Sequence, residues 1–393
     1  MLFDPSAHEP AFGEAWRETR AREAIRAIVA ETETAFSRDG VWPLHPLDGE
    51  GADATPGEIL GLYLGTAGMV WALDALARSG AVELSRDWTG VADELDERYL
   101  AGVDAPVPSL WIGEAGILLA AQRLAPSGER AERLFDVVRA NAANETNELM
   151  WGSPGTMLAA RTMLEWTGEE RWRDAWQESA DRLWDEWAWS DEHGCHLWTQ
   201  RLYGRVESFI GPAHGFAGNV VALAPLQGER RDELARRAGE TLEALAFREN
   251  GLANWGTRCG AGIAGGDGQI RVQWCHGAPG IVASLADIVA DEELLLAGGE
   301  LAWTAGPLAK GPGLCHGTAG NGYAFLKLFR RTGDERWLER ARAFAMHAAA
   351  QVERARAEHG HGRLSLWTGD VGAALYLRHC LEGTAEMPTI DAW

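Results

Sequence analysis

Charged and apolar positions along this chain separate into two kinds of helix that follow one another in turn. Residues 14–36 place Ala, Ile and Val at helical spacing between charges, the pattern of an amphipathic helix with one buried face. Charged stretches of the same kind, most of them bearing tryptophan, recur at 88–100, 129–143, 169–187, 229–247, 291–303 and 334–352. Each is followed by a loop, a Gly-x-x-Gly step and a run poor in charge, such as ILLAAQRL, TMLAARTML, NVVALAPL, IVASLADI or NGYAFLKLF. A helix that is apolar nearly all round must be covered on every side, and amphipathic helices can supply that cover. The alternation predicts an all-α fold, an α/α toroid in which seven inner helices stand inside seven outer ones.

The glycine steps give the period. They fall at Gly65/Gly68, Gly113/Gly116, Gly152/Gly155, Gly215/Gly218, Gly277/Gly280, Gly317/Gly320 and Gly369/Gly372, with first glycines 48, 39, 63, 62, 40 and 52 residues apart. A unit of about 40 residues with insertions reads as one repeat array, and so as a single domain over 1–393. Glycine tolerates positive φ and lets backbones approach closely, which a sharp turn into a crowded inner helix requires. The seven inner helices then start at one rim, where their N-termini favour anions. The two long spacings locate insertions near 188–212 and 249–273, expected as irregular or short hairpin structure beside the mouth.

Composition removes several functions. The net charge of −22 lacks the basic excess that neutralising phosphates demands, which sets aside nucleic acid and anionic membranes as partners. No apolar run is long enough to span a bilayer, and the first residues carry no basic and apolar signal segment. Five cysteines at irregular spacing argue against a disulfide framework and for a reducing, cytoplasmic compartment. The only lysines are Lys310 and Lys327.

Candidate chemistry appears where the repeats depart from their own pattern. Just before the first glycine of each step stand Leu64, Ile112, Trp151, His214, His276, His316 and Thr368; one position earlier stand Tyr63, Trp111, Met150, Ala213, Cys275, Cys315 and Trp367. Three consecutive repeats thus replace an apolar background with His, Cys-His and Cys-His, and in a ring consecutive repeats are neighbours. Two thiolates with imidazole suit zinc (Zn2+), and three protein ligands with an open fourth position are the catalytic arrangement. Cys275, Cys315 and His316 are the expected ligands; the alternative is that these residues simply fill the ring. His193, Cys195 and His196 read as an acidic glycine-bearing loop, Cys259 and Cys380 as ordinary small residues, and the tryptophans of 169–189 as interhelical packing.

The segments AHGFAGN (213–219), RVQWCHGAPG (271–280) and KGPGLCHGTAGN (310–321), with the seven glycine steps, make the chain resemble the lanthionine synthetase C-like family, including its eukaryotic glutathione-binding members. The resemblance implies an α/α toroid with zinc held by Cys275, Cys315 and His316. It implies His214 as acid/base, and Arg271, four residues before the first zinc cysteine, at the family's arginine position. Glu148 stands where cyclases of lantibiotic precursors have aspartate. That Asn-Glu-Leu form, His276 and Lys310 resemble the eukaryotic members, which add glutathione to dehydroamino acids in proteins.

The implied reaction is addition of a thiol to dehydroalanine or dehydrobutyrine in a peptide or protein, giving a thioether. Arg271 would hold the developing oxyanion, Glu148 would orient His214, and Lys310 would pair with a carboxylate of glutathione. The chain reads as a stand-alone cyclase-type module, with a separate dehydratase or kinase as its expected partner. A zinc-bearing scaffold that only binds glutathione or a partner protein is the competing reading, and an α/α-barrel glycosidase a more distant one.

Overall fold

The computed structural model describes residues 1–10, 14–48 and 54–393. Helix α1 (Glu18–Thr34) and the short α2 (Pro56–Leu60) lead into α3 (Thr66–Arg78). Two short pieces, α4 (Thr89–Asp93) and α5 (Leu95–Gly102), precede α6 (Glu114–Leu124), and α7 (Gly128–Asn141) precedes α8 (Ser153–Thr167). Four pairs follow: α9 (Glu170–Asp185) with α10 (Phe216–Leu223), α11 (Gly228–Leu245) with α12 (Ala278–Leu285), α13 (Glu292–Ala305) with α14 (Thr318–Thr332), and α15 (Glu335–His359) with α16 (Asp370–Glu382). Helices α3, α6, α8, α10, α12, α14 and α16 each pack against the next, and α16 packs against α3, so the inner ring closes. The expected toroid is present. None of the described helices is long and apolar enough to cross a membrane.

The two helix types are buried as their patterns require. All eight residues of α10 are buried, whereas α9 buries Trp172, Ala175, Trp176, Ser179, Ala180 and Leu183, a single stripe at helical spacing. The outer helix expected over 88–100 is instead broken between α4 and α5. At the break Arg130 takes up the freed groups: its Nη2 donates to the Asp93 carbonyl oxygen at 3.0 Å and to Asp93 Oδ1, while its Nε donates to Asp96. That carbonyl is one a continuous helix would have given to a later amide.

Glycine is needed at the steps chiefly for close approach, since of the fourteen step glycines only Gly277 has positive φ, at 110°. A Cβ on the second glycine of any step would collide with the carbonyl oxygen six residues earlier. It would also press on a side chain from the preceding repeat: Leu62 against Gly116, Leu110 against Gly155, Leu149 against Gly218, Pro212 against Gly280, Trp274 against Gly320, Leu314 against Gly372 and Leu366 against Gly68. The glycines therefore act as sockets that key each repeat to its neighbour around the closed ring. Gly320→Ala should lower stability by about 3 kcal/mol, roughly 4 °C in Tm for a chain this long. Gly239→Ala, within α11 and facing only an ordinary contact with Val289, should raise it by about 0.5–1 kcal/mol. Thermal unfolding of the two variants reads the contrast, and equal effects would contradict the socket role.

The same loops cap the inner helices. None of the seven glycine N-caps offers a side chain. Instead, at four of them the amide after the glycine donates to a carbonyl seven residues back, Glu114 to Val107, Phe216 to Phe209, Thr318 to Gly311 and Asp370 to Arg363, and at α12 Ala278 N donates to Asn254 Oδ1 at 2.8 Å. The rim was expected to offer these N–H groups to anions; the chain's own carbonyls occupy several of them.

Both insertions form short antiparallel hairpins: β1 (Ala188–Ser190) with β2 (Cys195–Leu197), β3 (Gln200–Leu202) with β4 (Arg205–Glu207), and β5 (Phe247–Glu249) with β6 (Leu252–Asn254). The insertions join where Ile210 N donates to Thr257 O at 3.2 Å and Cys259 N to Ser208 O at 2.8 Å.

Candidate functional site

A backbone belt runs around the rim at the position two residues before the first glycine. Cys275 N donates to Cys315 O (3.0 Å), Cys315 N to Trp367 O (2.8 Å), Trp367 N to Tyr63 O (3.1 Å) and Tyr63 N to Trp111 O (2.8 Å). Equivalent residues of successive repeats are thus bonded to one another across the closure of the ring. Two belt residues, Trp111 and Trp367, close with Trp274 on each other, with ring centroids 4.6, 4.8 and 6.0 Å apart and all three almost fully buried. They supply a rigid apolar neighbour to the two cysteines.

Cys275 Sγ, Cys315 Sγ and a ring nitrogen of His316 all lie within 4.8 Å of one another, the single such group of potential metal ligands among the described residues. Two thiols and an imidazole in that compass are a donor set able to hold a soft or borderline divalent ion with one position left open. The thiols are strongly linked. The hydrogen bond from Cys315 holds the Cys275 thiol well below the usual range against its burial, helped by His276 and His316. The same bond, burial and the charge of Cys275 push the Cys315 thiol well up. Gln273 Nε2 donates to Cys275 Sγ at 3.0 Å, and Lys310 Nζ reaches Gln273 Oε1 at 3.5 Å, which links Lys310 to the cluster through one side chain. Burial, followed by Cys315, pushes the Tyr63 hydroxyl well above its ordinary value.

His214 and Glu148, 66 residues apart in sequence, meet at 2.8 Å between Nδ1 and Oε2. The carboxylate is fully buried and accepts from Met150 N at 3.0 Å and Trp151 N at 2.5 Å. Its loop is fixed from behind, because the Asn147 carbonyl accepts from Asn219 Nδ2 at 2.9 Å and Gln200 Nε2 at 3.2 Å. Asn321, at the matching position two repeats later, grips Val272 O at 2.8 Å and so steadies the loop carrying Cys275. An Nδ1–H donated to Glu148 leaves Nε2 of His214 as the ring nitrogen available to a substrate. The His214 ring centroid is 6.1 Å from that of His276 and 5.9 Å from that of Tyr203.

His276 stands between this pair and a further cavity. Burial lowers its basicity, and its Nδ1 has no partner among the described residues. Arg271 lines that cavity rather than joining the cysteines, with its guanidinium engaged by Asp267. The structure therefore gathers Cys275, Cys315 and His316, joins His214 to Glu148, and ties Lys310 to the cluster, while Arg271 faces the adjoining space. Tyr63 and Gln273 were not singled out in the sequence. Tyr63 carried one signal, a hydroxyl in the register that elsewhere holds Cys275 and Cys315; Gln273 carried none.

A family model described as lanthionine synthetase C-like protein matches residues 60–391. Among curated proteins, the chain is 46% identical over 166 residues to LanC-like protein GCL1 of Arabidopsis thaliana, covering 40% of this chain and 36% of that one. It is 34% identical over 149 residues to Glutathione S-transferase LANCL1 of Danio rerio, covering 35% of each. These matches thus span about a third of the relatives' length. Among solved structures, Nisin cyclase superposes with a TM-score of 0.60 at 16% identity, covering 92% of this chain and 94% of the other, a likeness of fold.

Proposed function

Because this chain belongs to the lanthionine synthetase C-like family by the match over residues 60–391, we propose that it forms thioethers by adding a thiol to a dehydroamino acid in a peptide or protein, with zinc held by Cys275, Cys315 and His316. The observation that carries this reading is the convergence of those three donor groups within 4.8 Å. Bound there, zinc supplies the positive charge that keeps a thiol deprotonated near neutral pH.

The chain's own residues account for the rest. Glu148 fixes the tautomer of His214, whose Nε2 takes the thiol proton. The sulfur bonds to the β-carbon of dehydroalanine or dehydrobutyrine as the carbon–carbon double bond opens, and its electron pair moves to the carbonyl oxygen. Arg271, held by Asp267 on the wall of the adjoining cavity, is the cation offered to that developing charge, and His214 returns the proton to the α-carbon. No oxidant or reductant is required. The five cysteines are free thiols, as a cytoplasmic compartment would keep them.

Glutathione is the candidate thiol, supported by the Danio rerio relative, a glutathione S-transferase by name, and by Lys310, whose ammonium suits a carboxylate beside Gln273. A dehydroalanine peptide should gain one glutathione in the presence of the zinc-loaded protein, as read by mass spectrometry. Lys310→Ala should raise KM for glutathione about tenfold, the scale of one charge-assisted hydrogen bond. An unchanged KM would point to a cysteine of the peptide itself and to cyclisation. No addition with either thiol would leave a zinc-bearing scaffold.

A further inference from the structure

The cavity beyond His276 is built by the two insertions rather than by the ring. It encloses about 310 Å3 and is lined by Arg205, Phe209, Thr257, Arg258, Asp267 and Arg271, with His276 as the wall it shares with the cysteine side. Arg258 is paired with Glu207 and Arg271 with Asp267, whereas Arg205, exposed on β4, has no carboxylate partner among the described residues. Three guanidiniums against two carboxylates leave a positive balance in a chain of net charge −22. The glycine-rich run closes tightly on these groups. A Cβ on Gly266 would meet Arg258 Nη2 at 2.5 Å, and one on Gly265, whose φ is +60°, would meet Thr257 Oγ1 at 3.1 Å. At Gly265 the positive φ favours glycine, and at Gly266 a side chain would have to displace the end of Arg258.

A guanidinium suits a carboxylate or phosphate, which it can grip through two N–H groups, and Arg205 is the one on this wall with no carboxylate already engaged among the described residues. The distant negative charge of the protein does not cancel this, because at physiological salt charges more than about 8 Å away are largely screened. Lys310 does not line the cavity, so one carboxylate of the thiol can sit at Lys310 without occupying it. His276 follows Cys275 directly, so the cavity adjoins the reacting position. An extended peptide advances about 3.5 Å per residue, so a side chain one or two residues from the reacting one is displaced by roughly 4–7 Å along the chain.

We propose that this cavity binds an anionic side chain of the peptide substrate, a carboxylate or a phosphate, one or two residues from the reacting dehydroamino acid. The proposal rests on the thioether reading for the identity of the reacting residue. It makes the insertions a specificity device, with Arg205 as the residue whose charge is uncommitted.

The test uses four peptides with a single dehydroalanine, flanked over two residues on each side by alanine, glutamate, phosphoserine or lysine. The zinc-loaded full chain should process an anionic peptide with kcat/KM about tenfold above the alanine peptide, the scale of one charge-assisted contact. The advantage should lie in KM for peptide and shrink as salt is added. Arg205→Gln should bring the ratio close to one, and Arg205→Glu should transfer the preference to a lysine-flanked peptide. An advantage confined to phosphoserine assigns the cavity to phosphate; an equal advantage for glutamate assigns it to carboxylates generally. Equal rates for all peptides, or an Arg205→Gln effect on KM for the thiol alone, would overturn the proposal. Fluorescence anisotropy with labelled peptides carrying alanine in place of dehydroalanine separates the two failures. If nothing is turned over but the anionic peptides still bind about tenfold tighter, the thioether reading fails and the cavity stands; equal affinities sink the cavity.

Discussion

Cys315→Ala should reduce bound zinc from about one per chain to a trace and abolish thiol addition, because removing one of three protein ligands leaves two donors for an ion that prefers four. Metal analysis after desalting checks the first part, and Cys275→Ala should behave alike. Far-UV circular dichroism should hardly change, since both cysteines lie in the rim loops and the helices are keyed by their glycine sockets. The size of the activity loss is itself informative. A free thiol with a pKa of about 8.5 is already a few per cent thiolate at pH 7, so ionisation alone accounts for roughly a 30-fold effect. Holding the thiol beside the peptide is worth far more, since effective molarities for well-oriented reactants reach about 10⁵ M. A loss beyond about 10³-fold therefore reports positioning at the site, and a loss near 30-fold would mean that the metal only ionises the thiol. Unchanged zinc in either variant would remove that cysteine from the ligand set.

The closed ring was legible because its cause is a side-chain absence that the sequence displays. Each second glycine receives a side chain of the preceding repeat, so the seven glycine steps mark seven interlocking units. The cysteine cluster was legible for a related reason: Cys275 and Cys315 break an apolar register, and the register is what the rim places side by side. The bonds that enforce this adjacency were not legible, because the belt from Cys275 to Trp111 is made of main-chain groups that every residue carries. Main-chain bonding also hid the capping of the inner helices, and with it the reason why the rim offers fewer free N–H groups than seven helix starts suggest. Arg271 shows a different limit. Its spacing from Cys275 is visible in the sequence, but its direction depends on Asp267, four residues earlier on a glycine-rich loop whose path no periodicity describes.

His214→Asn should keep zinc and helicity while lowering kcat by about 10²-fold or more, the range typical of a lost general acid/base. Asparagine preserves a polar side chain of similar reach and can still hydrogen-bond Glu148, but it cannot exchange a proton near neutral pH. His214 lies outside the group formed by Cys275, Cys315 and His316. Its Nδ1 is committed to a fully buried carboxylate at 2.8 Å, and its ring faces His276 across 6.1 Å. Glu148→Gln provides the companion measurement. The amide can still bond Nδ1, yet it removes the negative charge that supports a protonated ring, so kcat should fall by about tenfold or more with zinc again retained. The pattern across the two variants separates the roles, because a general acid/base loses its limb of the pH–rate profile in His214→Asn, while an orienting carboxylate shifts that limb in Glu148→Gln. Loss of zinc in His214→Asn would make His214 a ligand, and full activity in that variant would take it out of the mechanism and leave Glu148 as a buried anchor for the loop at Met150 and Trp151.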